Sequence, residues 1–224
     1  TLLESDPTDP ALRTGAVETA RQLAVTFQSA QTGLNDARAL AQSAVAVGTE
    51  QANAAATELA RVNRELVNVR PGSASHANLL DARDAALRDI AEEFSLEVEF
   101  NEIGAATVRL VTTPAPAGEV GPILVDGPNT NTVTSTIAAD GTASFGLDGL
   151  TFTPVSGAQA GRVSALNDLR DRADTLDAIA LSTITRANTA QANGAALDGT
   201  PGQPLFSGTN ASDIELALTD GDQL

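Results

Sequence analysis

From Asp9 to about Val69 the apolar positions fall at Ala16, Ala20, Leu23, Phe27, Ala30, Leu34, Ala37, Ala41 and Ala44. They continue through Gly48 and Ala52 to Ala55, Leu59, Val62, Leu66 and Val69. Steps of four and three alternate, which lines one stripe of a long helix and is the repeat of a coiled coil. Asp9-Pro10 is a start signal, with an acceptor at the cap and a fixed φ at the first helical position. Two successive steps of four at Gly48 make a stutter, and Gly33 and Gly48 are where a bend or break is expected. The stripe fits one face of a helical bundle within the chain or an oligomeric coiled coil equally well.

Pro71-Gly72-Ser73 reads as a turn. Ser75 then caps a second helix reaching about Phe94, with Leu80, Leu87, Ile90, Ala91 and Phe94 inward and Asp84–Arg88 as an i,i+4 pair. The period changes at Leu96-Glu97-Val98-Glu99-Phe100, whose strict alternation marks a half-buried strand. Further strands are expected at 107–111, 122–125, 130–137 and 150–155. Pro114-Ala115-Pro116, Asp126-Gly127-Pro128 and Asp140-Gly141 supply turns between them.

Helical spacing resumes at about Arg162 with Val163, Leu166, Leu169, Ala173, Leu176 and Ala180, and runs to about Asn193. Asp168, Arg170, Asp171, Arg172, Asp174 and Asp177 decorate its outer face. After Gly194 the chain is loop-like, with a short strand or helix near 214–218. The fold class is therefore mainly α with a β insertion (α+β), its long helices antiparallel in a bundle. Residues 1–94 and 157–196 make a helical core, 95–156 a β-rich insertion and 197–224 a loop-rich return segment.

Composition narrows the function. The 224 residues carry 42% hydrophobic side chains, yet the only aromatics are six Phe, and Cys, Met, Trp and Tyr are absent. An alanine-rich core buries little area per residue, which favours long contacts over a deep pocket. A net charge of −16, with every basic residue an Arg, repels a phosphate backbone and an anionic membrane surface. No nucleic acid, no membrane and no cofactor is implied. His76 is the single histidine and reads as a solvent-exposed first-turn residue, because sequence neighbours rarely form a triad and a zinc site needs several such ligands. Asp198-Gly199-Thr200 and Asp220-Gly221-Asp222 are turn-formers without EF-hand spacing. The carboxylates Glu92-Glu93 and Glu97/Glu99 lie on faces expected to be solvated. The chain reads as a structural building block, not an enzyme.

Asn78-Leu79-Leu80-Asp81-Ala82-Arg83-Asp84-Ala85-Ala86-Leu87 resembles the "NDLLDQRDQLL" signature of the flagellar hook-associated protein 1 family, the hook–filament junction proteins. Asp9-Pro10-Ala11-Leu12-Arg13 with Ala20 to Phe27 is similar to its "DPAAR…A..LA..F" helix start. Gly161 to Leu166 with Arg170-Asp171 is similar to its "GGxLGGLLxxRD" return helix, although Arg162 to Ala165 replace the usual glycines. Asp198-Gly199 with Pro204 to Gly208 is similar to its "DLNG…FFSG" end.

The resemblance implies an extracellular flagellar protein, exported unfolded and lacking here the terminal assembly segments at both ends. Implied partners are the hook protein, hook-associated protein 3, copies of itself in a ring, and an export chaperone bound through the missing carboxy-terminal segment. Asp81, Arg83, Asp84, Arg170 and Asp171 are the candidate subunit-contact or structural residues. Asp81 and Arg83 are expected to point outward, either as a surface ion pair of little worth or as a charged contact to a neighbour. The alternatives are hook-associated protein 3, a flagellin-like axial subunit, or a secreted coiled-coil adhesin.

Overall fold

Asp9 accepts hydrogen bonds from the amides of Ala11 (2.7 Å) and Leu12 (3.2 Å), two of the donors that a helix start leaves unpaired. In the computed structural model, which describes residue 6 and residues 8–113 and 121–224, the helix so begun, α1, runs unbroken from Pro10 to Leu66. The helix does not break at Gly33 or at Gly48. Gly33 has open space around it, while Gly48 lies under the side chains of Glu93, Gln159 and Arg162. At Gly48 the missing side chain permits close approach and not a break. The Pro114–Pro116 turn lies outside the described residues.

The stripe on α1 also differs from the expected one. The covered side runs Arg13, Val17, Ala20, Ala24, Phe27, Gln31, Leu34, Arg38, Ala41, Val45, Gly48, Ala52, Ala55, Leu59, Val62 and Leu66, with Leu34, Arg38 and Ala41 half-buried. Its steps alternate four and three from end to end, so there is no stutter. Leu23, at 40% exposure, and Ala30 lie beside it. Arg13, Gln31 and Arg38 occupy stripe positions, and their polarity hid the register. Two of them reach distant backbone: Arg13 Nε donates to the Gly221 carbonyl (2.9 Å) and an Arg38 amino group to the Asp140 carbonyl (3.3 Å).

The second helix, α2 (Ala74–Glu93), is capped by Ser73, whose hydroxyl accepts from the His76 amide at 3.1 Å. Ser75 is thus inside the first turn, not at the cap. Ile90 and Phe94 are buried as expected and Leu80 and Leu87 half-buried, but Ala91 is exposed and Ala86 takes the core position.

Among the described residues eight strands follow: β1 (Leu96–Phe100), β2 (Ala106–Leu110), β3 (Thr112–Thr113), β4 (Ile123–Asp126), β5 (Asn129–Thr130), β6 (Thr134–Ile137), β7 (Ala143–Leu147) and β8 (Leu150–Pro154). They form two antiparallel sheets, ordered β1-β2-β4-β5 and β3-β8-β7-β6. The single strand expected over 130–137 is split, because Thr130 pairs in one sheet and Thr134 in the other. β7 was not expected. Its Ala143 and Gly146 dilute the β signal, although Phe145 and Leu147 are fully buried. Asp148 and Gly149, both at positive φ (52° and 77°), close the β7–β8 hairpin, as an Asp-Gly turn should.

The last long helix, α3 (Ala158–Ala192), starts one turn earlier than expected, after Gly157 at φ 86°. Two short strands, β9 (Phe206–Ser207) and β10 (Glu215–Leu216), pair antiparallel after it, and a 3₁₀ turn at Gly221–Gln223 is capped by Asp220.

The chain divides into two compact units, Thr1–Ala37 with Leu169–Leu224, and Arg38–Asp168. In the first, Ala20, Ala24 and Phe27 of α1 pack with Ala180 and Ile184 of α3 and with Phe206, Ala211 and Ile214. In the second, Val45 to Ala60 of α1, Ile90 and Phe94 of α2, Val163 and Leu166 of α3 and the inner faces of both sheets share one core. Phe94 meets Phe145 edge-on at 5.4 Å and Phe145 stacks with Phe152 at 5.8 Å, contacts that add about 1 kcal/mol each beyond their buried area.

A recurring device joins helices to extended segments. Asn53 donates to the Val133 carbonyl (2.8 Å) and accepts its amide (2.9 Å). Asn63 does the same with Ala106 (2.8 and 2.8 Å), and Asn188 with Phe206 (2.8 and 3.0 Å). A side-chain amide has one donor face and one acceptor face, like a peptide group, so it substitutes for a neighbouring strand.

Candidate subunit interface

Asp81, Arg83 and Asp84 lie on α2, and Arg170 and Asp171 on α3. Arg83 does not point outward. Only 13% of its side chain is exposed, and its guanidinium makes three separate interactions. One amino group donates to the Gly104 carbonyl (2.6 Å), the other nitrogens donate to Asp84 Oδ1 (2.7 and 2.8 Å), and the plane lies 4.4 Å from the centre of the Phe100 ring. The expected Asp84–Arg88 pair gives way to these contacts, and Arg88 turns to Asp89 at 3.6 Å. Asp81 and Asp84 are exposed.

The segment that Arg83 grips is the β1–β2 turn. Asn101 Oδ1 accepts the amides of Ile103 (3.2 Å) and Ala105 (2.9 Å), and Gly104, at φ 83°, sits against Leu80 and Arg83. A side chain at Gly104 would collide with Leu80, so the turn rests on α2 because it is bare there. His76 is half-buried at the same place, its Nε2 facing the Ile103 carbonyl at 3.4 Å, and is not the solvent-exposed residue expected.

On α3, Arg170 donates to Asp171 Oδ1 (3.1 Å), with Asp171 largely exposed. Asp177, expected on the outer face, is half-buried and accepts the Ala211 amide at 2.9 Å, fixing the 210–213 turn. Asp213 closes that turn, accepting the amides of Thr209 and Asn210 at 2.7 Å each. These bonds hold its carboxyl below the usual carboxylate range. Asp198 is lowered likewise, first by the Thr200 hydroxyl and then by the Thr200 amide. Both Asp-Gly sequences near the chain's end are thus turn-formers.

Glu93 was expected to be solvated, as Glu92 is. Instead it is buried, and its carboxylate pairs with Arg162 of α3 above Gly48 of α1. Gln159, fully buried beside them, donates to the Val45 carbonyl at 3.1 Å. Ser95 and Ser156, where the chain enters and leaves the β-rich region, hydrogen-bond through their hydroxyls. Three helices and both ends of the β-rich region therefore meet at one polar junction. Sequence spacing could not reveal it, because the partners that meet there lie as far as 114 residues apart.

Beside this junction, α1 and α2 leave an open groove with Ala54, Ala55, Ala82 and Ala85 as its floor and Glu58, Asp89 and Glu92 on its rim. Glu58 is held below its usual range, chiefly by its hydrogen bond to Arg61. Among the described residues no helix is long and apolar enough to cross a membrane, and no cluster of His, Cys, Asp or Glu is arranged to hold a metal. What the chain presents is helical surface and one gripped turn.

The family model described as the flagellar hook-associated protein FlgK helical domain matches residues 2–206. Among solved structures, the flagellar hook junction protein FlgK from Burkholderia pseudomallei superposes with a TM-score of 0.73 at 22% identity, over 92% of this chain. The chain spans 38% of that protein's length. No curated protein matches the chain.

Proposed function

Because the chain belongs to the FlgK helical-domain family of flagellar hook-associated proteins, we propose that it is part of a protein joining hook to filament in a bacterial flagellum. It acts by packing and not by catalysis. The observation that carries this reading is the match of the family's helical domain across residues 2–206, with Arg83 of the Leu-Leu-Asp-x-Arg-Asp motif in a defined structural role. The proposed partners are the hook protein, hook-associated protein 3 and further copies of the same chain, with an export chaperone acting before assembly. The proposed location is outside the cell, on the flagellum. Asp81, Asp84 and Asp171 are exposed and thus able to meet a neighbour, with Arg83 orienting Asp84 and Arg170 orienting Asp171.

The adhesin-stalk alternative needs the stripe on α1 free to form an oligomeric coiled coil. Here Ala20, Ala24 and Phe27 are covered by residues of the same chain, which counts against it.

The test is electron microscopy of cells lacking the whole gene, with flagellin assayed in the medium. Bare hooks and flagellin lost to the medium are expected. Normal filaments would remove the junction reading.

A further inference from the structure

The backbone of β1 has one edge bonded and one edge open. Asn101 donates to the Ala105 carbonyl (3.0 Å) and Val111 to the Ser95 carbonyl (2.9 Å), while Glu97 and Glu99 stand opposite Arg109 and Thr107. In an antiparallel ladder alternate residues bond across to the partner strand. Glu97 and Glu99 therefore bond to β2, and Leu96, Val98 and Phe100 turn their N–H and C=O groups outward. β1 is the outer strand of its sheet, and among the described residues no hydrogen-bond partner meets those groups. Elsewhere the protein closes such groups with its own side chains: Asn63 bonds the N–H and C=O of Ala106, and Asn53 those of Val133, just before β6. β1 has no such cover.

At five residues β1 is the longest of the four strands that edge the two larger sheets; β6 has four, β3 and β5 two each. It holds no Pro or Lys and its register with β2 has no bulge, the devices that commonly blunt an edge. Leu96 and Val98 pack against the core, so the strand is held in place. A fixed row of alternating donors and acceptors at strand spacing is complemented by another extended backbone. That backbone is not β1 of a second copy. Every in-phase antiparallel register that overlaps three or more residues of β1 sets Glu97 or Glu99 opposite Glu97 or Glu99 of the other copy, and like charges directly opposite are unfavourable. Resting on the flagellar reading above, we infer that the open edge of β1 accepts an extended segment of a different protein, as an added strand, in the assembled structure.

Residue-resolved amide exchange on the full-length protein, isolated and in assembled flagella, tests this. The Val98 and Phe100 amides should exchange readily in the isolated protein and about tenfold or more slower after assembly, while Glu97 and Glu99 are protected in both. The photo-crosslinker p-benzoylphenylalanine at Phe100 in motile cells should give an adduct with a different flagellar protein, identified by mass spectrometry. Val98→Pro removes only an outward N–H, so it should melt close to Val98→Ala yet reduce swarm diameter by about half where Val98→Ala does not. Unchanged exchange on assembly, protection already present in the isolated protein, or an adduct only to a second copy would overturn the inference. Full swarming by a folded Val98→Pro would do the same, and if that variant melts far below Val98→Ala the exchange result decides. Filaments lost on gene deletion with exchange unchanged would sink this inference alone; filaments intact on deletion would sink the junction reading.

Discussion

The side-chain amide of Asn63 bonds both backbone groups of Ala106, donating to the carbonyl and accepting the amide at 2.8 Å each. It also donates to the Gly127 carbonyl at 2.8 Å. Asn63 is 1% exposed, so the backbone groups it bonds are out of reach of bulk water.

Changing Asn63 to Leu should therefore cost more than a typical hydrogen bond. It leaves a donor and acceptors of β2 and the β4–β5 turn unpaired in the core, at roughly 1–3 kcal/mol for each buried group. A loss of about 3 kcal/mol by denaturant titration is expected. Asn53→Leu, at a half-buried copy of the same device, should cost less. Equal losses would show that burial does not set the scale.

Gly33 and Gly48 offer one substitution with opposite signs. Alanine at Gly33 meets nothing and should stabilise the helix by up to about 1 kcal/mol. Alanine at Gly48 meets Glu93, Gln159 and Arg162 and should destabilise by about 1–3 kcal/mol through overpacking. Thermal melts of the two variants check this, and a rise in melting temperature for Gly48→Ala would contradict the close approach.

The Glu93–Arg162 pair keeps only 8% and 25% of its side chains exposed. Arg162→Met strands a buried carboxylate and should cost about 3 kcal/mol. The double change with Glu93→Gln should recover part of that loss, because it removes the unpaired charge. Chemical denaturation of the four proteins in a double-mutant cycle measures the coupling.

Asp213 supplies a pH signature. Its carboxyl is held below the ordinary value chiefly by the Thr209 and Asn210 amides. The stabilisation is complete above the unfolded value, about pH 4, and is lost as pH falls through the lower folded value. Amide exchange at Thr209 and Asn210, corrected for intrinsic rate, should be constant near neutrality and accelerate below that range. Asp213→Asn should show the faster exchange already at pH 7.

Much of this protein was legible from local chemistry. The Asp9-Pro10 start, β1 and its alternation, the Asp-Gly turns and the α-with-β-insertion class follow from short-range rules that residue order alone obeys. The Leu-Leu-Asp-x-Arg-Asp motif was recognisable as well, but its direction was not. Arg83 turns inward because Gly104 and Phe100, 17 to 21 residues away, offer a carbonyl and a ring that no helical period encodes. The covered stripe of α1 was misread for a related reason: Arg13, Gln31 and Arg38 sit on it although they are polar, Arg13 and Arg38 bonding to backbone far along the chain, so a hydrophobicity pattern passes over them. Ser73 rather than Ser75 caps α2, Glu93 is buried rather than solvated, and Gly48 admits a close approach rather than a break. Periodicity records which residues prefer to leave water. Only tertiary structure decides which polar residues find partners that let them leave it too.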